Sequence, residues 1–134
     1  MGSKASVLIV DDEQFLRQIL GRIVAREGFA VEEAIDGKDA LKKIQEKTYD
    51  FVISDIRMPN LDGIELLNRI KQDHKGITVI LITAYAGQYT AQDALKAGAD
   101  YYITKPFKNV EIARTLNTLL VKRQALARRQ EARR

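Results

Sequence analysis

Short apolar runs alternate along this chain with longer segments of helical period. Val7-Leu8-Ile9-Val10 is unbroken, rich in β-branched residues and of strand length, the pattern of a parallel strand buried on both faces. Asp11 and Asp12 end it abruptly. Leu16, Ile19, Leu20 and Ile23 then follow the i, i+3, i+4, i+7 spacing of an amphipathic helix, and Gly28 stands where a helix C-terminus needs a left-handed turn. The unit recurs. Residues 30–35 read as a strand, Asp36-Gly37 as a turn, and 38–47 as a helix with Ala40, Leu41 and Ile44 inward. Residues 51–54 form a strand ending at Asp55. A loop through Met58-Pro59-Asn60 leads from it to a helix over about 63–73, with Ile64, Leu67 and Ile70 on one stripe. A strand at 78–82 precedes a weakly apolar, alanine-rich helix at 88–97. A strand at 101–104 precedes a last helix that starts near Lys108 and buries Ile112, Leu116, Leu119 and Leu120.

Five strands alternating with five helices predict an α/β domain: a five-stranded parallel sheet with helices on both faces, joined by right-handed crossovers. Such sheets bind ligands in the crevice beyond the carboxyl ends of their strands. The polar residues at those ends are Asp11 and Asp12, Asp55, Thr83 and Lys105.

Composition narrows the class without naming a function. The 134 residues suffice for one domain with one core, and 46% hydrophobic with 30% charged residues is ordinary for a globular protein. No apolar run approaches the ~20 residues of a membrane-spanning helix. The opening Met1-Gly2-Ser3-Lys4 lacks the apolar core of a secretory signal, so a cytoplasmic location is expected and no membrane partner. There is no cysteine, which excludes disulfides and thiolate metal sites. The net charge of +4 is unevenly spread: residues 122–134 hold six basic side chains and one acid, a charge of +5, which leaves −1 for residues 1–121. That tail reads as a basic helical extension or linker. Without aromatics it is no folded DNA-reading module, and nucleic acid is not an expected partner of this segment.

Three carboxylates at neighbouring strand mouths repel one another unless cations gather there. Lys105 supplies one positive charge. A magnesium ion suits the remainder, because it is a hard cation that prefers oxygen donors and needs few protein ligands.

Asp11-Asp12, then Asp55-Ile56-Arg57-Met58-Pro59-Asn60-Leu61-Asp62-Gly63, then Thr83-Ala84, then Lys105-Pro106-Phe107 is an ordered set, each member at the end of an inferred strand. The set closely resembles the receiver domains of two-component response regulators, over residues 5–121. The resemblance implies a flavodoxin-like, doubly wound (βα)5 fold like that of the chemotaxis regulators. It also implies that Asp55 is a nucleophile taking a phosphoryl group from a histidine kinase or a phosphotransfer protein. Asp12 and Asp55 would hold magnesium with the main-chain carbonyl of Arg57, and Asp11 would act through a coordinated water. Lys105 and the Thr83 hydroxyl would meet the phosphoryl oxygens, helped by main-chain amides near Met58 and Ala84. Thr83 and Tyr102 would form a switch read on the face of residues 88–121, which is also a candidate homodimer surface. An output domain or target protein would receive the signal. Arg57 and Tyr85 would flank the phosphoryl group and slow its hydrolysis, and the Lys105-Pro106 bond is expected to be cis.

Each residue has a plainer reading. Asp12 alone serves as a helix N-cap, Asp55 as a turn residue and Lys-Pro as a loop. Their coincidence at the strand ends favours the site. His74 reads as a solvated loop residue, Tyr101, Tyr49 and Phe29 as packing, and Asp62-Gly63 as a helix cap. The rival function is a phosphatase of the haloacid-dehalogenase class, which wants a second Asp two residues after its nucleophile; here that position is Arg57. The other rival is a receiver-like scaffold that never takes phosphate. In the favoured reading the protein is no enzyme beyond its own phosphorylation and slow dephosphorylation.

Overall fold

The computed structural model describes residues 4–84 and 91–133, so Tyr85, residues 88–90 of the expected fourth helix and the extreme termini lie outside it. In order, the elements are β1 (Ser6–Val10), α1 (Gln14–Arg26), β2 (Ala30–Ala34), α2 (Gly37–Glu46), β3 (Phe51–Asp55), α3 (Gly63–Asp73), β4 (Thr78–Thr83), α4 (Ala91–Lys96), β5 (Tyr101–Thr104) and α5 (Asn109–Ala132). All strand pairs are parallel, and the order across the sheet is β2-β1-β3-β4-β5. The chain therefore reverses its winding between β1 and β3, and that reversal opens a crevice at the carboxyl ends of these two strands.

Alternation within the strands builds a core on each face of the sheet. Leu8, Val10, Val52, Val79 and Leu81 point toward α2, α3 and α4, where they meet Ala40, Ile44, Leu66, Leu67, Ile70 and Ala94. Val7, Ile9, Phe51, Ile53, Ile80 and Ile82 point the other way, onto Leu20, Ile23 and Val24 of α1 and Ile112, Leu116 and Leu119 of α5. Burial on both faces is why these strands read as unbroken apolar runs.

The structure revises the expected core in several places. In α3 the inward positions are Gly63, Leu66, Leu67 and Ile70, and Ile64 lies half-buried at the flank. The stripe is rotated because Gly63 itself faces the sheet, where a Cβ would come within 2.3 Å of the Asp55 carbonyl oxygen. The second strand stops at Ala34 and leaves Ile35 exposed. In α5, Thr115 is buried and Leu120 only half-buried. Tyr101, expected in the packing, is exposed, because it opens the edge strand β5. Phe29 and Tyr49 do pack, and the Tyr49 hydroxyl donates to Glu32 Oε1 at 2.9 Å.

Local chemistry fits the element boundaries. Asp36 and Asp62 cap α2 and α3, accepting from the N–H groups of Asp39 and Glu65 at 2.8 Å each. Gly28 ends α1 with φ +94°. Glu13, not Asp12, occupies the N-cap of α1, which leaves Asp12 available to the crevice.

The long helix α5 is tied to the sheet by Arg123. Its Nη1 donates to the Gly76 carbonyl at 2.6 Å and to Thr78 Oγ1 at 3.0 Å, and its Nη2 pairs with Asp50 Oδ1 at 3.0 Å. The guanidinium also lies 5.4 Å from the centre of the Phe51 ring. Asp50 is itself held by the backbone N–H and hydroxyl of Ser6. The Arg123→Ala substitution should cost about 2 kcal/mol of stability. The Arg129→Ala substitution, in the exposed last turn, should cost less than about 0.5 kcal/mol. Urea unfolding midpoints at unchanged slope measure both, and equal costs would refute the anchoring role.

Candidate functional site

The crevice at the carboxyl ends of β1 and β3 gathers the charged residues singled out in the sequence. Asp11, Asp12 and Asp55 each present a carboxylate oxygen, and these oxygens lie within 4.8 Å of one another. Lys105 reaches in from the loop after β5, with its Nζ 3.2 Å from Asp55 Oδ2 and 3.8 Å from Asp11 Oδ2. The Lys105-Pro106 peptide bond is cis, as expected.

Each side chain is positioned by a specific backbone feature. Asp55 ends β3, and its Oδ1 accepts from the Ile56 N–H at 2.7 Å. Asp11 is 1% exposed; its Oδ1 accepts from the Glu13 N–H at 2.9 Å, and its own N–H donates to the Ala34 carbonyl at 3.2 Å. Burial pushes the Asp11 carboxyl above the usual carboxylate range. The charges of Asp55 and Asp12 push it the same way, while the Glu13 N–H and Lys105 oppose them. Thr83 is buried at the end of β4, level with Thr104 on β5, and its carbonyl accepts from the Lys105 N–H at 2.8 Å. The end of β4 and the start of the lysine loop are therefore joined through the backbone.

The loop from Ile56 to Asp62 closes the other side. Arg57 is exposed on it, Met58 is half-buried against the core, and Asn60 takes a left-handed φ of 72°. The Gly63 N–H returns to the Ile56 carbonyl at 2.8 Å. Ala84 is exposed just beyond β4. Tyr102 is half-buried against the α2–α3–α4 core, and that burial raises its hydroxyl pKa. Tyr85 lies outside the described residues.

Further residues complete the site. The N–H groups of Glu13 and Ile56 fix two of the carboxylates. Gly63 lets α3 approach Asp55. Arg17 of α1 donates through Nη1 to the Asp11 carbonyl at 2.8 Å and pairs through Nε with Glu33 Oε1 at 3.1 Å. Nothing in a helical pattern distinguishes such an arginine from a solvated one.

The donor set suits a hard divalent cation: three convergent carboxylates, one of them destabilised as an anion first by burial and then by its acidic neighbours. Comparison with known proteins agrees with this architecture. The family model for the response regulator receiver domain matches residues 7–117. The chain belongs to that family.

Known proteins resemble it over most of its length. The chain is 40% identical over 119 residues to the transcriptional regulatory protein ZraR of Klebsiella oxytoca, an alignment covering 89% of this chain and 27% of the relative. It is 35% identical to the transcriptional regulatory protein ResD of Bacillus subtilis, over 88% of this chain and 49% of ResD. It thus spans less than half the length of these two relatives. Among solved structures, a CheY-like receiver domain protein from Methanospirillum hungatei superposes with a TM-score of 0.85 at 30% identity, over 90% of this chain and 97% of that one. NtrX from Brucella abortus superposes with a TM-score of 0.89 at 30% identity, over 96% of this chain and 30% of NtrX. The fold is the flavodoxin-like one that the sequence predicts, and the protein is a receiver domain of two-component response regulators. Nothing in these relatives supports a haloacid-dehalogenase-like phosphatase.

Burial of Asp11 beside other carboxylates has a measurable consequence. A carboxyl whose folded pKa is raised contributes stability that is fully present below its unfolded pKa and lost as pH rises through the folded one. The Asp11→Asn substitution should therefore stabilise the metal-free protein at neutral pH. It should also flatten the loss of stability above the ordinary carboxylate range. Urea unfolding in a chelator at acid and neutral pH checks the sign; a destabilised variant would contradict the electrostatic account.

Proposed function

We propose that Asp55 accepts a phosphoryl group from a histidine kinase or a phosphotransfer protein, and that Thr83 and Tyr102 relay the change to the face of residues 88–121. The observation that carries this reading is the Lys105 ammonium group 3.2 Å from Asp55 Oδ2, inside a cluster of three carboxylates. In this reading an Asp55 oxygen bonds to phosphorus while the phosphorus–nitrogen bond of the donor breaks and its electron pair leaves with the imidazole. Lys105 steers the incoming anion and neutralises its equatorial charge, work of positioning and electrostatics. Asp12, Asp55 and the Arg57 carbonyl would hold magnesium, with Asp11 acting through a water. Bound there, the ion would screen repulsion between the acids and the phosphoryl oxygens. Main-chain amides of Met58 and Ala84 complete the cradle.

The switch has a physical route. Thr83 and Tyr102 lie on paired strands, with Thr83 level with Thr104 and Tyr102 level with Leu81. A phosphoryl group on Asp55 adds strong acceptor oxygens. Drawing the Thr83 hydroxyl toward them shifts the end of β4, and Tyr102 repacks behind it. The relatives ZraR and ResD are transcriptional regulators by name, which suggests an output region controlled through this face or through α5. Arg57, two residues after Asp55, and Tyr85, two after Thr83, are the proposed brakes on hydrolysis.

With magnesium and acetyl phosphate, intact mass should rise by one phosphoryl group, and the Asp55→Asn variant should show no gain. Steady phosphate release without an accumulated adduct would contradict slow dephosphorylation. The ring of Tyr102 provides a second readout. Its side-chain rotamer populations, measured by NMR, should differ between the free protein and a beryllium fluoride complex, and identical populations would sink the coupling.

A further inference from the structure

The structure assigns Arg17 as a positioning residue for the acidic cluster: it holds the Asp11–Asp12 peptide in the orientation that presents Asp12 to a divalent cation. The inference rests on the metal-binding reading of that cluster. Arg17 sits one turn into α1, and its side chain is only 12% exposed. Its Nη1 donates to the Asp11 carbonyl at 2.8 Å, and its Nε is held by Glu33 Oε1 at 3.1 Å near the end of β2. The end of β2 is fixed in turn by α2, since Lys43 donates to the Glu33 carbonyl and the Ile35 N–H donates to Asp39 Oδ2.

The bond matters because of where it falls. The Asp11 carbonyl belongs to the peptide unit that sets the direction of the Asp12 backbone. Three groups then define the turn between β1 and α1: the Asp11 N–H on Ala34, the Asp11 carboxylate on Glu13, and the Asp11 carbonyl under Arg17. Asp12 is exposed, and no side-chain hydrogen bond caps α1 from Glu13, so the carbonyl clasp supplies a constraint on this turn that capping does not. A guanidinium is permanently charged and planar, and Arg17 serves the carbonyl and Glu33 with different nitrogens. Its charge is offset by Glu33, so it orients the turn without adding a free cation that competes with the metal.

Magnesium alone is the probe. The Arg17→Ala variant should bind it about 10-fold more weakly by calorimetry, the lower end of what loss of an outer partner of a metal site costs. The melting temperature in a chelator should change little, while the rise produced by saturating magnesium shrinks. Arg17→Lys, which keeps the charge and a donor, should fall between the two. Glu33→Gln, which leaves the carbonyl bond in place, should lose less than Arg17→Ala. Should Arg17→Ala fail to fold, the lysine and Glu33→Gln variants carry the comparison. Unchanged magnesium affinity, or equal drops in melting temperature with chelator and with magnesium, would overturn the role of Arg17 while leaving the metal site standing. A wild-type protein that binds no magnesium would overturn both.

Discussion

Bringing three carboxylates within 4.8 Å of one another is unfavourable, and much of the local structure serves to hold them there. Asp11 and Asp12 come from the end of β1 and Asp55 from the end of β3, and these strands are neighbours because the sheet reverses its winding between them. The packing of both helical layers, not any affinity between the acids, creates the juxtaposition. Backbone N–H groups of Glu13 and Ile56 and the ammonium of Lys105 then moderate the repulsion. Burial of Asp11, with the remaining repulsion from Asp55 and Asp12, raises its pKa. A divalent cation held there would relieve the remaining repulsion.

The same constraint explains the close packing at the back of the site. α3 begins so near β3 that a side chain at Gly63 would collide with the Asp55 carbonyl. α2 begins in the same way, since a Cβ on Gly37 would come within 2.5 Å of the Leu61 carbonyl oxygen. Both helices are capped by the aspartates just before these glycines, Asp36 and Asp62. Asp-Gly therefore marks, twice, a helix that starts against backbone. The loop between Ile56 and Asp62 is closed by the Gly63 N–H on the Ile56 carbonyl, whereas Lys105 enters on a loop joined to β4 through the Thr83 carbonyl.

At the opposite end of the sheet, Arg123 does for α5 what the glycines do for α2 and α3. Its charge is spent on Asp50, on the Gly76 carbonyl and on Thr78, at the amino ends of β3 and β4. The helix continues to Ala132, with exposed side chains from Gln124 onward. A basic count over the tail treats Arg123 and Arg129 alike, but one is a structural contact and the other is solvated.

Much of this protein was legible in the sequence. The strand positions, the alternation with helices and the strand-end acids follow from periodicity and abrupt changes of polarity, which are local properties. Four of those strand-end residues, Asp11, Asp12, Asp55 and Lys105, do converge, because burial on both faces leaves parallel strands one architecture. Other features depended on contacts remote in sequence. The rotation of α3 toward Leu66 follows from its approach to β3, and the exposure of Tyr101 from the edge position of β5. The engagement of Arg17 with Asp11 and Glu33, and of Arg123 with Asp50, likewise depends on which elements become neighbours. A side chain's period tells which way it faces. Only the packed structure decides what it meets there, because a hydrogen bond or a close approach is a property of two segments at once.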